Sequence, residues 1–442
     1  MGGTGSAWEQ AYRSITEMKN TFSSLAIFNY RLWFASALVS NLGTWMQRIA
    51  QDWLVLTVLT RDSGVAVGIT TGLQFVPFLL LGPFTGVVAD RVDHRKMLMV
   101  TQTAAGALGL GLGALVLSGN AELMHVYGFA LALGVVTAFD APARQTFVGD
   151  LVPRTQLSNA VGLNSASFNA ARLIGPGAAG LLIAAVGTGW VFIINGATFA
   201  ATLVALALMR GSEFHAQERA PRSPGQVLDG LRYVRARHDL MIIFVVVSVV
   251  STFGLNFQLT SAMMARVEFG RGPQDYGILG SILAIGSLAG AIMAARRKEP
   301  SARLVVLSAT GFGVASGVMA LMPTYWTYAL SGIPVGFMAL TMLTSANATV
   351  QTTTAPHMRG RVMALYMMVL MGANPLGSPL VGWVGEHLGP RLAIAVGSVT
   401  AFAVVAAVVM RAVSRGRLDV ALSPRRPFLK VTTIPEVQYP DV

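Results

Sequence analysis

The chain contains no cysteine. That excludes disulfides, cysteine metal sites and palmitoyl anchors. Lysine is nearly absent, at Lys19, Lys96, Lys298 and Lys430, and none follows a glycine. The phosphate-binding pattern G-x-x-x-x-G-K-[ST] is therefore missing, and with it a P-loop motor. Charge of either sign is scarce: 32 Lys and Arg and 20 Asp and Glu make up 12% of 442 residues. Soluble domains carry roughly 25%. With 53% hydrophobic residues and a mean hydropathy of +0.59, a soluble protein of this size could not cover its surface. The histidines, His94, His125, His215, His238, His357 and His387, show no metal-ligand spacing. Neither H-E-x-x-H nor G-x-S-x-G occurs. No metal, cofactor, catalytic residue or enzymatic activity is expected. Residues 1–21 are polar, and the first apolar run is too long for a signal-peptide core.

What is present is a series of apolar runs near 20 residues, each long enough to cross a hydrocarbon layer of roughly 30 Å. Twelve spans are predicted, near 32–59, 65–89, 97–118, 124–146, 159–186, 189–209, 240–265, 275–295, 304–321, 325–350, 362–384 and 390–411. Helix is required because lipid offers no partner to free backbone groups. The net charge of +12 then reports cytoplasmic loops rather than a nucleic-acid partner. With the N-terminus inside, 26 of 32 basic residues are cytoplasmic. Four lie outside (Arg61, Arg266, Arg271, Arg391), and Arg48 and Arg172 remain in the membrane. That asymmetry places both termini in the cytoplasm.

The expected organisation is all-α. A cytoplasmic or interfacial segment (1–31) precedes a six-helix bundle (32–210). A cytoplasmic linker (211–239) and a second six-helix bundle (240–412) follow, and then a basic tail (413–442). Val227, Leu228, Leu231 and Val234 make an amphipathic helix in the linker, expected to lie on the membrane surface. The bundles repeat weakly. An offset of 203 places Pro153 on Pro356 and Pro176 on Pro379; 204 places Gly86 on Gly290. Parallel repeats of this kind are a transporter architecture.

Two motifs carry more. The 2–3 loop reads Gly86-x-x-Ala89-Asp90-Arg91-x-Asp93-His94-Arg95-Lys96. Gly86 permits close helix approach, and Asp90 can accept charge-assisted bonds at a helix end. This resembles the 2–3 loop signature of the major facilitator superfamily, with Asp93 where the family has Gly. The resemblance implies a cytoplasmic latch of Gly86, Asp90, Arg91 and Arg95, which Asp140 and Arg144 are expected to join. In span 5, Gly162, Ala171, Gly175, Pro176, Ala179 and Gly180 match the spacing of the family's antiporter motif, with two glycines replaced by alanine. Longer phrases are Ser40 to Gln47, Asp140 to Gln145, Arg172 to Pro176 and Arg359 to Met363. They resemble the enterobactin-exporter-like branch, which includes multidrug exporters. The implied protein is a proton-coupled exporter (antiporter) of amphipathic small molecules, such as drugs or siderophore-like metabolites. It would be a multi-pass monomer in a bacterial inner membrane. An importer, a lipid flippase and a membrane sensor remain as alternatives.

Charges at membrane depth cost about 2.5–3.5 kcal/mol each and need a reason. Arg48 and Asp52 lie about 3 and 9 Å beyond the midpoint of span 1, toward the outside. Asn41, Trp45, Arg48 and Asp52 share one helical face, with Gln51 beside it. That face must meet protein or a watery cavity. Arg48 and Asp52 either pair at i, i+4 or form a proton-titrating unit. Asn169 and Arg172 share a face of span 5, and Arg172 is expected either to bind an anionic substrate or to hold an acid in the amino-terminal half. The second half has no Asp or Glu deep in a span. Its candidates are Asn256, Gln258, Asn347 and Asn374, so coupling is expected to reside in the first six helices.

Overall fold

A computed structural model describes residues 22–215, 226–295, 301–414, 418–422 and 429–433. Before residue 215 it has six long helices: α1 (Phe28–Leu54), α2 (Gly64–Arg91), α3 (His94–Leu117), α4 (Leu123–Leu151), α5 (Leu157–Val186) and α6 (Thr188–Leu208). A short helix α7 (Gln226–Ala236) leads to α8 (His238–Phe253), α9 (Phe257–Met263) and α10 (Pro273–Ala295). Then come α11 (Ala302–Leu321), α12 (Tyr325–Thr353), α13 (Pro356–Leu388) and α14 (Pro390–Ser414). Among the described residues, eleven segments are long and apolar enough to cross a membrane. Helix α1 is long enough, but its polar face keeps it out of that set. It is nonetheless central, packed on α5 and α6. Leu80, Val100, Met124, Leu181, Leu307, Leu321 and Met410 point outward, as lipid-facing side chains do.

Local chemistry sets the joints. Asp93 accepts the Lys96 amide at 3.0 Å and so caps α3. The departure from the family's glycine thus has a structural role. Ser63 caps α2 in the same way, through the Ala66 amide. Asn29 closes α1 onto the end of α6 by two bonds, to the Arg210 carbonyl (3.0 Å) and from its amide (2.9 Å). Both α1 and α9 finish in one widened turn, Val55–Leu59 and Met264–Glu268. There the Thr60 and Phe269 amides reach the carbonyl five residues back. This shared ending is a repeat that the offsets of 203 and 204 do not include.

Three expectations change. Span 7 is not continuous: it breaks at Gly254–Asn256 into α8 and α9. Residues at the break line a cavity, where interrupted backbone is tolerated. The linker helix does not simply lie on a membrane surface; it is seated on the α12–α13 corner. Tyr233 accepts the Ala355 amide at 3.2 Å, Arg237 reaches the Thr353 carbonyl at 3.3 Å, and Asp229 pairs with Arg361 at 3.3 Å. The tail is not wholly non-β. An antiparallel pair, β1 (Leu418–Leu422) and β2 (Leu429–Thr433), is in register from Leu418 opposite Thr433 to Leu422 opposite Leu429. The chain is thus nearly, not entirely, helical. Residues 1–21 of the N-terminal segment lie outside the described residues.

Candidate transport site

The helices before residue 215 meet those after it chiefly through α2 with α13 and α5 with α10. Both are tightest at the end away from the chain termini. Gly64 and Gly382 touch backbone to backbone, and Gly68 lies against the Ser378 carbonyl. Gly277 meets the Pro176 carbonyl, and Gly180 approaches Gln274. At the mouth of this end Arg266 pairs with Asp62 at 3.1 Å. Glu386 accepts the Ser63 hydroxyl (2.7 Å) and the Val65 amide (3.0 Å) at the start of α2. Asp62 has φ +60°, a left-handed conformation that Asp tolerates. Glu268 pairs with Arg391 at 2.7 Å. This end is closed.

Pro176 leaves a gap in the hydrogen bonding of α5, and α10 fills it. Ser281 donates to the Leu173 carbonyl at 2.8 Å and accepts the Gly177 amide at 3.2 Å. One hydroxyl thus replaces the helical bond across the kink. Of the antiporter-type residues, Ala171, Gly175, Pro176, Ala179 and Gly180 are buried, and Gly175 packs on Trp45. Gly162 is exposed, with open space beside it.

Beneath the closed end lies a cavity of about 260 Å³ shared by both sets of helices. Trp45, Arg48, Phe75 and Arg172 line it from the first set; Asn256, Gln258, Tyr276 and Asn374 line it from the second. A second cavity of about 740 Å³ runs toward the termini and is lined by Asn41, Asp140, Arg144 and Asn169. Arg48 and Phe75 border both. The structure therefore brings together Asn41, Trp45, Arg48, Asn169, Arg172, Asn256, Gln258 and Asn374. It does not bring Asn347, whose carbonyl oxygen accepts from Gln351 one turn on and which lines neither cavity. Gln51 is buried behind the site, its Nε2 without a partner among the described residues.

Asp52 is buried too and lines neither cavity. Among the described residues it makes no ion pair with Arg48. Its Oδ2 instead accepts the hydroxyl of Tyr276 at 3.3 Å, from α10. The Tyr276 ring stacks on Trp53, centroids 5.8 Å apart. Sequence reasoning missed Tyr276 and held coupling within the first six helices. The partner comes from the second set. A tyrosine in the first turn of a span reads as an interface anchor, so nothing in the sequence marked it. Arg48 lies over the rings of Trp45 and Phe75, at 5.3 and 5.7 Å; Arg172 lies 5.8 Å from Trp45. Two guanidinium groups thus attend one indole.

Nearer the termini, Asp140 accepts the Thr101 hydroxyl and the Gln102 amide, both at 2.7 Å, and pairs with Arg144 at 3.0 Å. This binds α4 to α3. Arg91 is exposed, and Arg95 is spent on the Leu206 and Ala207 carbonyls at the end of α6. The burial of Gly86 and the side chain of Asp90 lie outside what the structure describes. Asp140→Ala strands the Arg144 charge and two donors. It is expected to cost about 2–4 kcal/mol, measured as a lowered Tm in detergent. An unchanged Tm would mean that cavity water replaces the carboxylate.

The sequence profile of the transmembrane secretion effector family matches residues 19–433. The multidrug efflux pump Tap of Mycolicibacterium fortuitum is 26% identical over 80% of this chain and 88% of its own. The staphyloferrin A transporter of Staphylococcus aureus is 24% identical over 81% and 90%. The enterobactin exporter EntS of Shigella flexneri is 25% identical over 76% and 79%. In fold, a bacterial homolog of the human lysosomal transporter Spinster, inward-facing and unoccupied, superposes with a TM-score of 0.63. Its identity is 16%, covering 87% of this chain and 96% of that one. The enterobactin-exporter-like resemblance is thus borne out, and the chain belongs to the transmembrane secretion effector family of the major facilitator superfamily, as a multi-pass transporter of the bacterial inner membrane.

Proposed function

We propose that the protein is a proton-coupled exporter of amphipathic small molecules that works by alternating access as a monomer. The single observation that carries this reading is the Tyr276–Asp52 bond across the two sets of helices. The cycle has two bundles, 32–210 and 240–412, rocking about the central cavity. Helix α1 is the twelfth span, made too polar to stand alone by the face it turns inward. Both termini are cytoplasmic, so the closed end faces outward and the larger cavity opens to the cytoplasm. Substrate enters there. Opening the outer end separates α10 from α1, breaks the Tyr276–Asp52 bond and exposes the carboxyl group to outside protons. Asp90 and Arg91, with the Asp140–Arg144 pair, form the cytoplasmic latch of the outward-facing state.

Energy suffices. One proton entering down 100 mV supplies about 2.3 kcal/mol, enough for roughly a 50-fold gradient of a neutral solute. The names of the multidrug efflux pump and the enterobactin exporter support the outward direction. The test is uptake into everted vesicles of a panel of dyes, drugs and siderophores, with and without an uncoupler. Uncoupler-sensitive accumulation is expected. Accumulation that persists with the uncoupler removes the proton from the mechanism.

A further inference from the structure

We propose that the substrate binds through an anionic group held by Arg48 and Arg172, with a planar apolar body against Trp45 and Phe75. This deepens the export reading, on which it rests, by naming the substrate class of the same cavity. The first observation is charge. Two arginines line the central cavity, and among the described residues no Asp or Glu does. The one carboxylate in the adjoining cavity, Asp140, is already matched by Arg144. Asp52 is withdrawn behind Tyr276, which takes its place in the cavity wall. A cation entering this space meets two like charges and no counter-ion. An anion meets the reverse.

The second observation is the set of idle donors. Gln258 Nε2 and the Ser251 hydroxyl are buried without a partner among the described residues, and both residues line the same cavity. Unmet donors in a buried site are costly unless a ligand completes them. Their residues line the cavity from the other set of helices, and the arginines line it from the first. Together they make a bowl of N–H and O–H groups fit for a carboxylate, sulfonate or phosphate. Arginine suits such planar or tetrahedral oxyanions through its fork of donors. The third observation is the flat apolar wall. Trp45 is crossed edge-on by Phe168, at 5.9 Å between centroids. Both guanidinium groups lie over its ring, and it lines the cavity that a planar ligand would fill. An anion leaving a cell that is negative inside is also driven by the potential itself, by about 50-fold per charge per 100 mV.

The test uses the purified full-length transporter and three probes of one shape: 2-naphthoate, naphthalene-2-methanol and 2-naphthylmethylammonium. Binding is read by titration calorimetry at pH 7. Naphthoate is expected to bind at least tenfold more tightly than either of the others. Arg172→Gln and Arg48→Gln are each expected to weaken naphthoate at least tenfold and to leave the neutral probe within about twofold. Arg172→Lys, which keeps the charge and loses the fork, falls between. It serves as the second variant should a glutamine variant not fold. Equal binding of the three probes, no binding of naphthoate, or an unaffected arginine variant overturns the proposal. Proteoliposomes carrying a pH dye separate this from the export reading. Naphthoate bound as expected but released without proton exchange removes the antiport alone. Proton exchange against the ammonium probe only removes the anion proposal alone.

Discussion

Asp52→Asn is expected to reduce proton-driven accumulation to background while the protein stays folded and binds substrate. The amide keeps the volume of the carboxyl group, and its oxygen still accepts the Tyr276 hydroxyl that holds Asp52 at 3.3 Å. What it loses is the capacity to carry a proton. The side chain is buried and lines neither cavity, so substrate contacts are untouched. The whole proton contribution then disappears, and for a neutral solute a gradient of roughly 50-fold at 100 mV collapses toward unity, while an anion keeps only the part that the potential drives on its own charge. Downhill exchange of substrate across the membrane is expected to survive. Both are measured in everted vesicles, the first by substrate-induced alkalinisation. Tyr276→Phe keeps the ring stacked on Trp53 and removes only the donor. Its coupling is expected to fall about tenfold, less than that of Asp52→Asn. Full coupling in Asp52→Asn would sink this assignment and move the search to another group.

Much of this was legible from the sequence. Periodic apolar runs predicted the long apolar helices, and the imbalance of arginine is the ground for the proposed sidedness. The loop from Gly86 to Lys96 and the kinked stretch around Pro176 pointed to the superfamily. The polar face of α1 named Trp45, Arg48 and Asp52 because a charge at depth needs a reason. The rest was not legible, since it depends on which helix meets which. Tyr276 looked like an ordinary interface aromatic until α10 was packed on α1. Ser281 became meaningful only beside the gap that Pro176 opens. The break at Gly254–Asn256 left no proline to mark it; it is held by Asn256, which accepts from Ser378 at 2.7 Å and donates to the Thr252 carbonyl at 2.8 Å. Of the two readings left open for Arg48 and Asp52, the i, i+4 ion pair is not formed, for a related reason. Sequence spacing shows that two side chains share a face, and neighbours from other helices then decide where each one turns.

Gly68→Leu is expected to hold the transporter open at the outer end and to abolish efflux without unfolding it. A Cβ at Gly68 would collide with the Ser378 carbonyl and come within 2.8 Å of the Pro379 Cα. Those atoms are backbone and cannot swing aside. The collision exists only while α2 and α13 are closed on each other, so opening the outer end relieves it. A penalty of about 3 kcal/mol, within the range for overpacking, shifts the balance of the two states roughly 150-fold. Gly286→Leu is the contrasting case. Its Cβ would strike the Ile333 carbonyl, between α10 and α12 of one bundle, and no rocking motion separates those helices. That variant is expected to lose stability and expression instead. The absence of native cysteine makes the measurement direct. Ser165→Cys reports the cavity toward the termini, and Thr71→Cys reports the cavity beneath the closed end. With Gly68→Leu added, a membrane-impermeant maleimide should label Ser165→Cys from the cytoplasmic face at least tenfold more slowly. Labelling of Thr71→Cys from outside should rise in step. Unchanged labelling at both positions would mean that the α2–α13 contact is not the outer gate.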